Sequence, residues 1–188
     1  MNLDFSVIQN QKNLLAFSAG VDSSALFFLL LEQNIPFDIA IVNYNLRVQS
    51  KDEVFYAKNL ASKYKKNIFL KETKIENISN FEKNARDIRY KFFDEIILEN
   101  SYENLITAHQ LNDKLEWFMM QLSKGAGLVE LIGFNEFEQK ENYKIYKPLL
   151  NITKKELENY LKINNHKYFV DQSNFDEKYK RNYFRHTF

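Results

Sequence analysis

Three stretches of this chain combine side chains able to grip an anion, hold a cation or move a proton. The first is Ser18-Ala19-Gly20-Val21-Asp22-Ser23-Ser24, directly after the apolar run Leu14–Phe17. Small residues let backbone N–H groups approach an anion, a helix starting here adds its positive end, and the serine hydroxyls donate further hydrogen bonds. Asp22 suits a phosphate neighbourhood only if a metal ion or other cation mediates. An ordinary strand-to-helix turn capped by Asp or Ser uses the same residues, and spacing alone leaves both readings open. Three spaced glycines are missing, as is a Gly-Lys-Ser/Thr sequence, so neither the dinucleotide fingerprint nor the Walker loop applies. An alanine at position 19 fits a phosphate cradle only if its φ stays negative.

The second stretch is Thr107-Ala108-His109-Gln110-Leu111-Asn112-Asp113-Lys114-Leu115-Glu116. On a helix Asp113 and Glu116 project from one face and can jointly hold Mg²⁺ or an amine. Alone they read equally as solvated helix charges, with Asp113 favoured near an N-terminus, and His109 as a satisfied, half-buried histidine. The third is Arg86 with Arg89, which share a helix face and repel each other unless they meet an anion or pair with Glu82 or Asp87. A polar tail adds Arg181 and Arg185.

The elements that must position these groups alternate. Short apolar strands are predicted at Leu14–Phe17, Phe37–Val42, Asn67–Lys71, Asn104–Ala108 and Lys144–Pro148. Helices fall between them at about Ser23–Gln33, Lys51–Tyr64, Phe81–Glu99 and Leu111–Ser123. A further helix, to about Leu161, starts after Thr153, which forms a capping box with Glu156. Alternation of this kind implies a five-stranded parallel α/β sheet with helices on both faces and right-handed crossovers, with ligands at the carboxyl ends of the strands. The residues following Phe17, Val42 and Ala108 are therefore the ones placed for chemistry.

The 188 residues suit a single domain, 1–188, and hold no cysteine, which excludes thiolate zinc sites and cysteine redox or persulfide chemistry. A net charge of +1 argues against a dedicated nucleic-acid-binding surface, so RNA contact would rest on local patches. The start has no signal-peptide pattern and the longest apolar run, about Ala25–Leu31, is too short to span a bilayer, so the expectation is a cytoplasmic protein without membrane contact.

The loop Ser18–Ser24 resembles the Ser-Gly-Gly-x-Asp-Ser loop of the PP-loop, or N-type, ATP pyrophosphatases, with Ala19 in place of the second glycine. The later motifs resemble the tRNA(Ile)-lysidine synthetase family within that group, over nearly the whole chain from Leu14. Asn43-Tyr44-Asn45-Leu46-Arg47 with Ser50 and Glu53 is similar to the family's Asp/Asn-His-x-Leu-Arg-x-x-Ser-x-x-Glu, and no role is carried onto Tyr44, which stands where a histidine is usual. Glu82-Lys83-Asn84-Ala85-Arg86-Asp87-Ile88-Arg89-Tyr90 is similar to Glu-x-x-Ala-Arg-x-x-Arg-Tyr, and His109-Gln110 to Asp113 and Glu116 is similar to His-His-x-x-Asp-x-x-Glu with Gln110 replacing the second histidine. Lys124-Gly125-Ala126-Gly127, Asp171-Gln172-Ser173-Asn174-Phe175-Asp176 and Arg181-Asn182-Tyr183-Phe184-Arg185 follow in family order.

The resemblance implies an adenine-nucleotide α-hydrolase-like fold and ligation of L-lysine to the wobble cytidine of tRNA(Ile) with a CAU anticodon, using ATP and Mg²⁺. It implies that Ser18, Ala19, Gly20, Val21, Asp22, Ser23 and Ser24 hold ATP, and that Asp22, Arg89, His109 and Asp113 are catalytic, with Mg²⁺ near Asp22 and Asp113. It assigns lysine to Asp113, Glu116 and Arg181, and leaves Arg47, Arg86 and Arg185 as nucleotide or tRNA contacts. Further tRNA-gripping domains are expected beyond this chain, and a homodimer is allowed. The competing readings are another PP-loop pyrophosphatase, of tRNA thiolase or amidotransferase type, and a nucleotide-binding domain without turnover.

Overall fold

A computed structural model describes residues 3–45, 49–74, 81–132 and 134–170. Arg47, Gly133, Arg181, Arg185 and the motif from Asp171 lie outside the described residues. After a short 3-10 turn, Ser6–Ile8, the elements run β1 Asn13–Ala16, α1 Val21–Glu32, β2 Asp38–Asn43, α2 Gln49–Lys63, β3 Ile68–Glu72 and α3 Phe81–Asn100. They continue as β4 Asn104–Ile106, α4 Leu111–Leu122, α5 Leu128–Leu131, β5 Phe137–Gln139, β6 Lys144–Tyr146 and α6 Lys154–Ile163.

The strands form one sheet in the order β3-β2-β1-β4-β6-β5, parallel except for β5, which pairs antiparallel with β6. The expectation of five parallel strands is thus corrected to six, with an antiparallel edge. Phe137–Gln139 gave no strand signal because all three residues are exposed and lack an alternating apolar face. Reversal of strand order occurs between β1 and β4. The chain winds outwards from β1 to β3, then returns to lay β4 on the other flank of β1, opening a crevice at the carboxyl ends of these two strands.

Two-residue periodicity divides the core. Leu15, Ile39, Ile41, Ile106 and Tyr146 pack in a cluster with α1, α2 and α6, whereas Leu14, Ala40, Leu105 and Ile145 pack in a second cluster with Phe93, Ile96 and Ile97 of α3. α1 runs beneath this crevice and is buried almost all round, from Ala25 to Leu30, because α6 covers the side that the sheet does not.

The helix ends explain how a chain with only four glycines turns so often. α1, α2, α3 and α6 are each followed by a residue with positive φ, respectively Asn34 (55°), Lys65 (52°), Ser101 (56°) and Asn165 (52°). Each time the next N–H reaches back to a carbonyl of the last helical turn: Ile35 to Leu30, Lys66 to Ala61, Tyr102 to Ile97 and His166 to Leu161. This is the Schellman arrangement without its usual glycine.

Candidate active site

The loop after β1 is built from its own backbone and two serines. Phe17 N–H still donates to Ala40 O at 2.9 Å, so the loop leaves the sheet at Ser18. Ser18 Oγ and Ser23 Oγ lie 3.1 Å apart, Ser18 N–H donates to Ser23 Oγ at 3.2 Å, and Gly20 N–H points at Ser18 Oγ at 3.4 Å. Gly20 is the N-cap of α1 and supplies no side-chain cap, leaving the first-turn N–H groups of the helix without one. Ser24 is fully buried, and its Oγ finds no hydrogen-bond partner among the described residues. An uncapped helix start with an orphaned buried hydroxyl in its first turn suits an anion. Side chains of Ala19 and Val21 are buried, so these residues offer an anion only backbone.

The condition of a negative φ at Ala19 is corrected: its φ is +61°, so the alanine takes the left-handed backbone open to the glycine it replaces. Its methyl is fully buried in the core cluster and its carbonyl accepts the Phe169 N–H at 2.9 Å. A segment following α6 thus lies along the loop, and it is fastened again where Tyr56 donates its hydroxyl to Lys167 O. Surrounding contacts hold a conformation that the alanine itself disfavours by roughly 1–2 kcal/mol.

Across the crevice, Thr107 N–H donates to Tyr146 O at 2.9 Å, then Thr107 Oγ1 and His109 Nδ1 share a hydrogen bond of 2.9 Å. Gln110, in the place of the family's second histidine, is the N-cap of α4: its Oε1 accepts from Asn112 N–H at 2.7 Å. Asp113 closes the capping box, its Oδ2 accepting from Gln110 N–H at 3.0 Å. Asp113 thus has a structural role at the start of α4 in addition to its place beside the crevice. Glu116, one turn on, is only 4% exposed and is not a solvated helix charge.

Among the described residues, no group of three His, Cys, Asp or Glu side chains comes together to hold a metal ion. Mg²⁺ needs no such cage, since it takes one or two carboxylates and completes its shell with phosphate and water. Asp22, half-buried in the first turn of α1, suits that mode beside a bound triphosphate.

The α3 arginines have different neighbours. Arg86 stacks its guanidinium 5.0 Å from the centre of the Tyr90 ring and lines a recess of about 420 Å³ between α3 and the β5–β6 hairpin, together with Asp94 and Tyr143. Arg89 lies close enough to Tyr44 to oppose, by its charge, the upward push that burial gives that phenol. Tyr44 in turn donates its hydroxyl to Ala85 O at 2.7 Å, fastening the end of β2 to the start of α3.

Lys147, Phe134 and Trp117 escaped the sequence reading. Lys147 follows β6 and is 6% exposed. Phe134 lies edge-on to His109 with ring centres 5.4 Å apart, and Trp117 lies 6.0 Å from Phe134. Only the position of Lys147 at a strand's carboxyl end could have marked it.

A family model described as a PP-loop domain matches residues 3–188. The chain is 52% identical over 184 residues to the tRNA(Ile)-lysidine synthase of Campylobacter jejuni (strain RM1221), covering 97% of this chain and 57% of that protein. It is 52% identical over 189 residues to the protein of the same name from Helicobacter hepaticus, covering 98% and 44%. The chain thus spans about half the length of the curated relatives it matches. Among solved structures, the U34-tRNA thiolase NcsA from Methanococcus maripaludis superposes with a TM-score of 0.81 at 21% identity, over 98% of this chain and 67% of that one. The NH3-dependent NAD synthetase from Campylobacter jejuni gives 0.54 at 17% identity, over 92% and 71%. At such identities the two structures speak for the fold alone. Loop, topology and family match agree, and the chain belongs to the PP-loop domain family.

Proposed function

We propose that this chain is the catalytic part of a cytoplasmic ligase that joins L-lysine to C2 of the wobble cytidine in tRNA(Ile) with a CAU anticodon. The observation that carries the reading is the adjacency of β1 and β4, which sets the serine loop on one side of a single crevice and His109, Asp113 and Glu116 on the other. The lysidine synthases of Campylobacter and Helicobacter, half identical to this chain, support the same choice.

In this reading ATP lies with its β- and γ-phosphates on the amides and hydroxyls of Ser18–Ser24. Cytosine O2 attacks the α-phosphorus and pyrophosphate departs, leaving an adenylylated base that is electrophilic at C2. The lysine ε-amine, having given up a proton, bonds to C2, and the C2–O bond breaks as AMP leaves. Free lysine has an ε-ammonium pKa of about 10.4, so the site must take that proton. Asp113 and Glu116 receive the substrate's α-ammonium, Arg181 its carboxylate, and His109 stands by as the proton carrier. Arg89 and the loop amides stabilise charge on the transferred phosphoryl group. Mg²⁺, when bound, neutralises phosphate charge, and Asp22 is the residue to hold it. Arg47, Arg86 and Arg185 are tRNA or nucleotide contacts in the same proposal, and a wobble base in an exposed loop can leave its stack to reach them. Pairing of two copies belongs to it as well, and the exposed apolar stripe Leu111, Leu115, Phe118 and Leu122 on α4 is consistent with that.

The test supplies ATP, Mg²⁺, L-lysine and unmodified tRNA(Ile) bearing a CAU anticodon. AMP release and lysine incorporation should rise together, and Asp22→Ala should lower both at least 100-fold. Transfer of sulfur or ammonia without lysine would overturn the reading, and ATP binding without AMP formation would favour a nucleotide-binding domain.

A further inference from the structure

Among the described residues only two charged side chains are buried, Glu116 and Lys147: Glu116 lies on the helix after β4, which borders the crevice, and Lys147 directly follows β6, the next strand outwards. Glu116 already has a part in the proposed reaction. Lys147 has none, and burying an ammonium in a protein interior costs several kcal/mol unless its partners are well placed. Among the described residues its partners come from one segment. Lys147 Nζ donates to Asn135 O at 3.1 Å and to Glu138 Oε2 at 3.3 Å, and stands 5.6 Å from the centre of the Phe134 ring. The main chain repeats the tie: Lys147 N–H donates to Glu136 O at 2.9 Å.

That segment presents Phe134 to the site. The Phe134 and His109 rings are 5.4 Å apart and nearly perpendicular at 82°, and Thr107 holds the imidazole through Nδ1. Residues 107 and 147 are also sheet neighbours, since Thr107 N–H bonds to Tyr146 O. The imidazole thus meets a hydroxyl from the end of β4 and a ring carried by the segment that leads into β5.

We infer that Lys147 is a positioning residue of this site: its buried ammonium pins residues 134–138 so that Phe134 holds the His109 ring in place. Only the turnover arm of the test rests on the proposed lysidine reaction. Lys147→Met should fold, because Glu138, its carboxylate partner, is 45% exposed and water can replace the ammonium. Trp117, the sole tryptophan, packs beside Phe134 and reports the segment's position by fluorescence.

In Lys147→Met the NOE between the Phe134 and His109 rings should disappear and the Trp117 emission should shift. kcat should fall about 10- to 100-fold while KM for ATP stays within about twofold, as misplacement of a proton carrier that does not itself hold the nucleotide predicts. A folded Lys147→Met that keeps the NOE, or loses it without loss of kcat, overturns the inference. If Lys147→Met does not fold, Phe134→Leu decides. It keeps the buried ion pair and removes the ring, so it should lower kcat similarly, and wild-type turnover in that variant overturns the inference. Should the wild-type chain make no lysidine, the proposed function fails by itself and the NOE comparison still decides the role of Lys147.

Discussion

Ala19 shows how a single side chain can be read correctly for type and wrongly for conformation. The sequence marks a small residue in a turn, and a negative φ was the condition set for an alanine to fit there. The +61° found arises from contacts with partners far along the chain, Phe169 above all, and no local pattern encodes them. Replacing Ala19 with glycine should change stability by less than about 1 kcal/mol, since relief of roughly 1–2 kcal/mol of backbone strain is offset by the lost buried methyl and the freer unfolded chain. Ala19→Val should cost more than about 2 kcal/mol, as a β-branched residue tolerates this region poorly. Urea denaturation of both variants checks the contrast. His166 offers a second test at this scale. Burial beside Phe28, with rings stacked 3.5 Å apart, pushes its pKa below the usual 6.5; Glu32 opposes the shift and Lys63 adds to it. The folded state then binds this proton less readily than the unfolded state. The stabilisation is complete above about pH 6.5 and is lost as pH falls from there through the depressed value. Thermal unfolding between pH 7.5 and 5.5 should show a decline in Tm, and the decline should be smaller in His166→Gln.

Elements were far more legible than their ends. Helices and strands around the crevice followed from apolar periodicity, and the Thr153–Glu156 capping box occurs as read. Asp113 was identified as an acidic group near a helix start, yet its capping partner could not be foreseen, because Gln is an uncommon N-cap. The four Schellman ends were also invisible, since the residues in left-handed conformation are Asn, Lys and Ser rather than glycine. Lys65 is the least suited of these, being exposed and lacking the local hydrogen bonding that eases asparagine into this region. Lys65→Gly should therefore stabilise the protein by about 0.5–1 kcal/mol, measured as a rise in the urea midpoint at unchanged m. β6 was read as a strand at Lys144–Pro148, but its partner β5 was missed for want of an apolar face, and with it the route by which Lys147 reaches Phe134.

At the scale of the molecule, the near balance of 26 basic and 25 acidic residues limits what this chain can contribute to RNA affinity. Few phosphates can be neutralised by such a surface, so binding of tRNA to this chain should weaken only gently with salt. A slope of log Kobs against log[salt] of about −3 or shallower is expected by filter binding or fluorescence, and a much steeper slope would reveal a concentrated basic patch. The crevice itself was legible from strand alternation, because a doubly wound parallel sheet reverses its order at one place. Its furnishing was only half legible: the motif residues were read, while the supporting ring and ammonium come from the far end of the sheet.

Strand placement also divides the site by rigidity. β1, which carries the serine loop, is bonded on both flanks by β2 and β4, whereas Phe134 and Lys147 belong to the border hairpin, whose outer strand is exposed. Amide hydrogens in an interior strand exchange only when most of the domain opens, while those at a border exchange through local fraying. The amides of Leu14 and Leu15 should accordingly outlast those of Phe137–Gln139 under native-state exchange. Mild denaturant would then leave a species that still grips phosphate but no longer orients the imidazole, so nucleotide binding and turnover should be lost in separate steps.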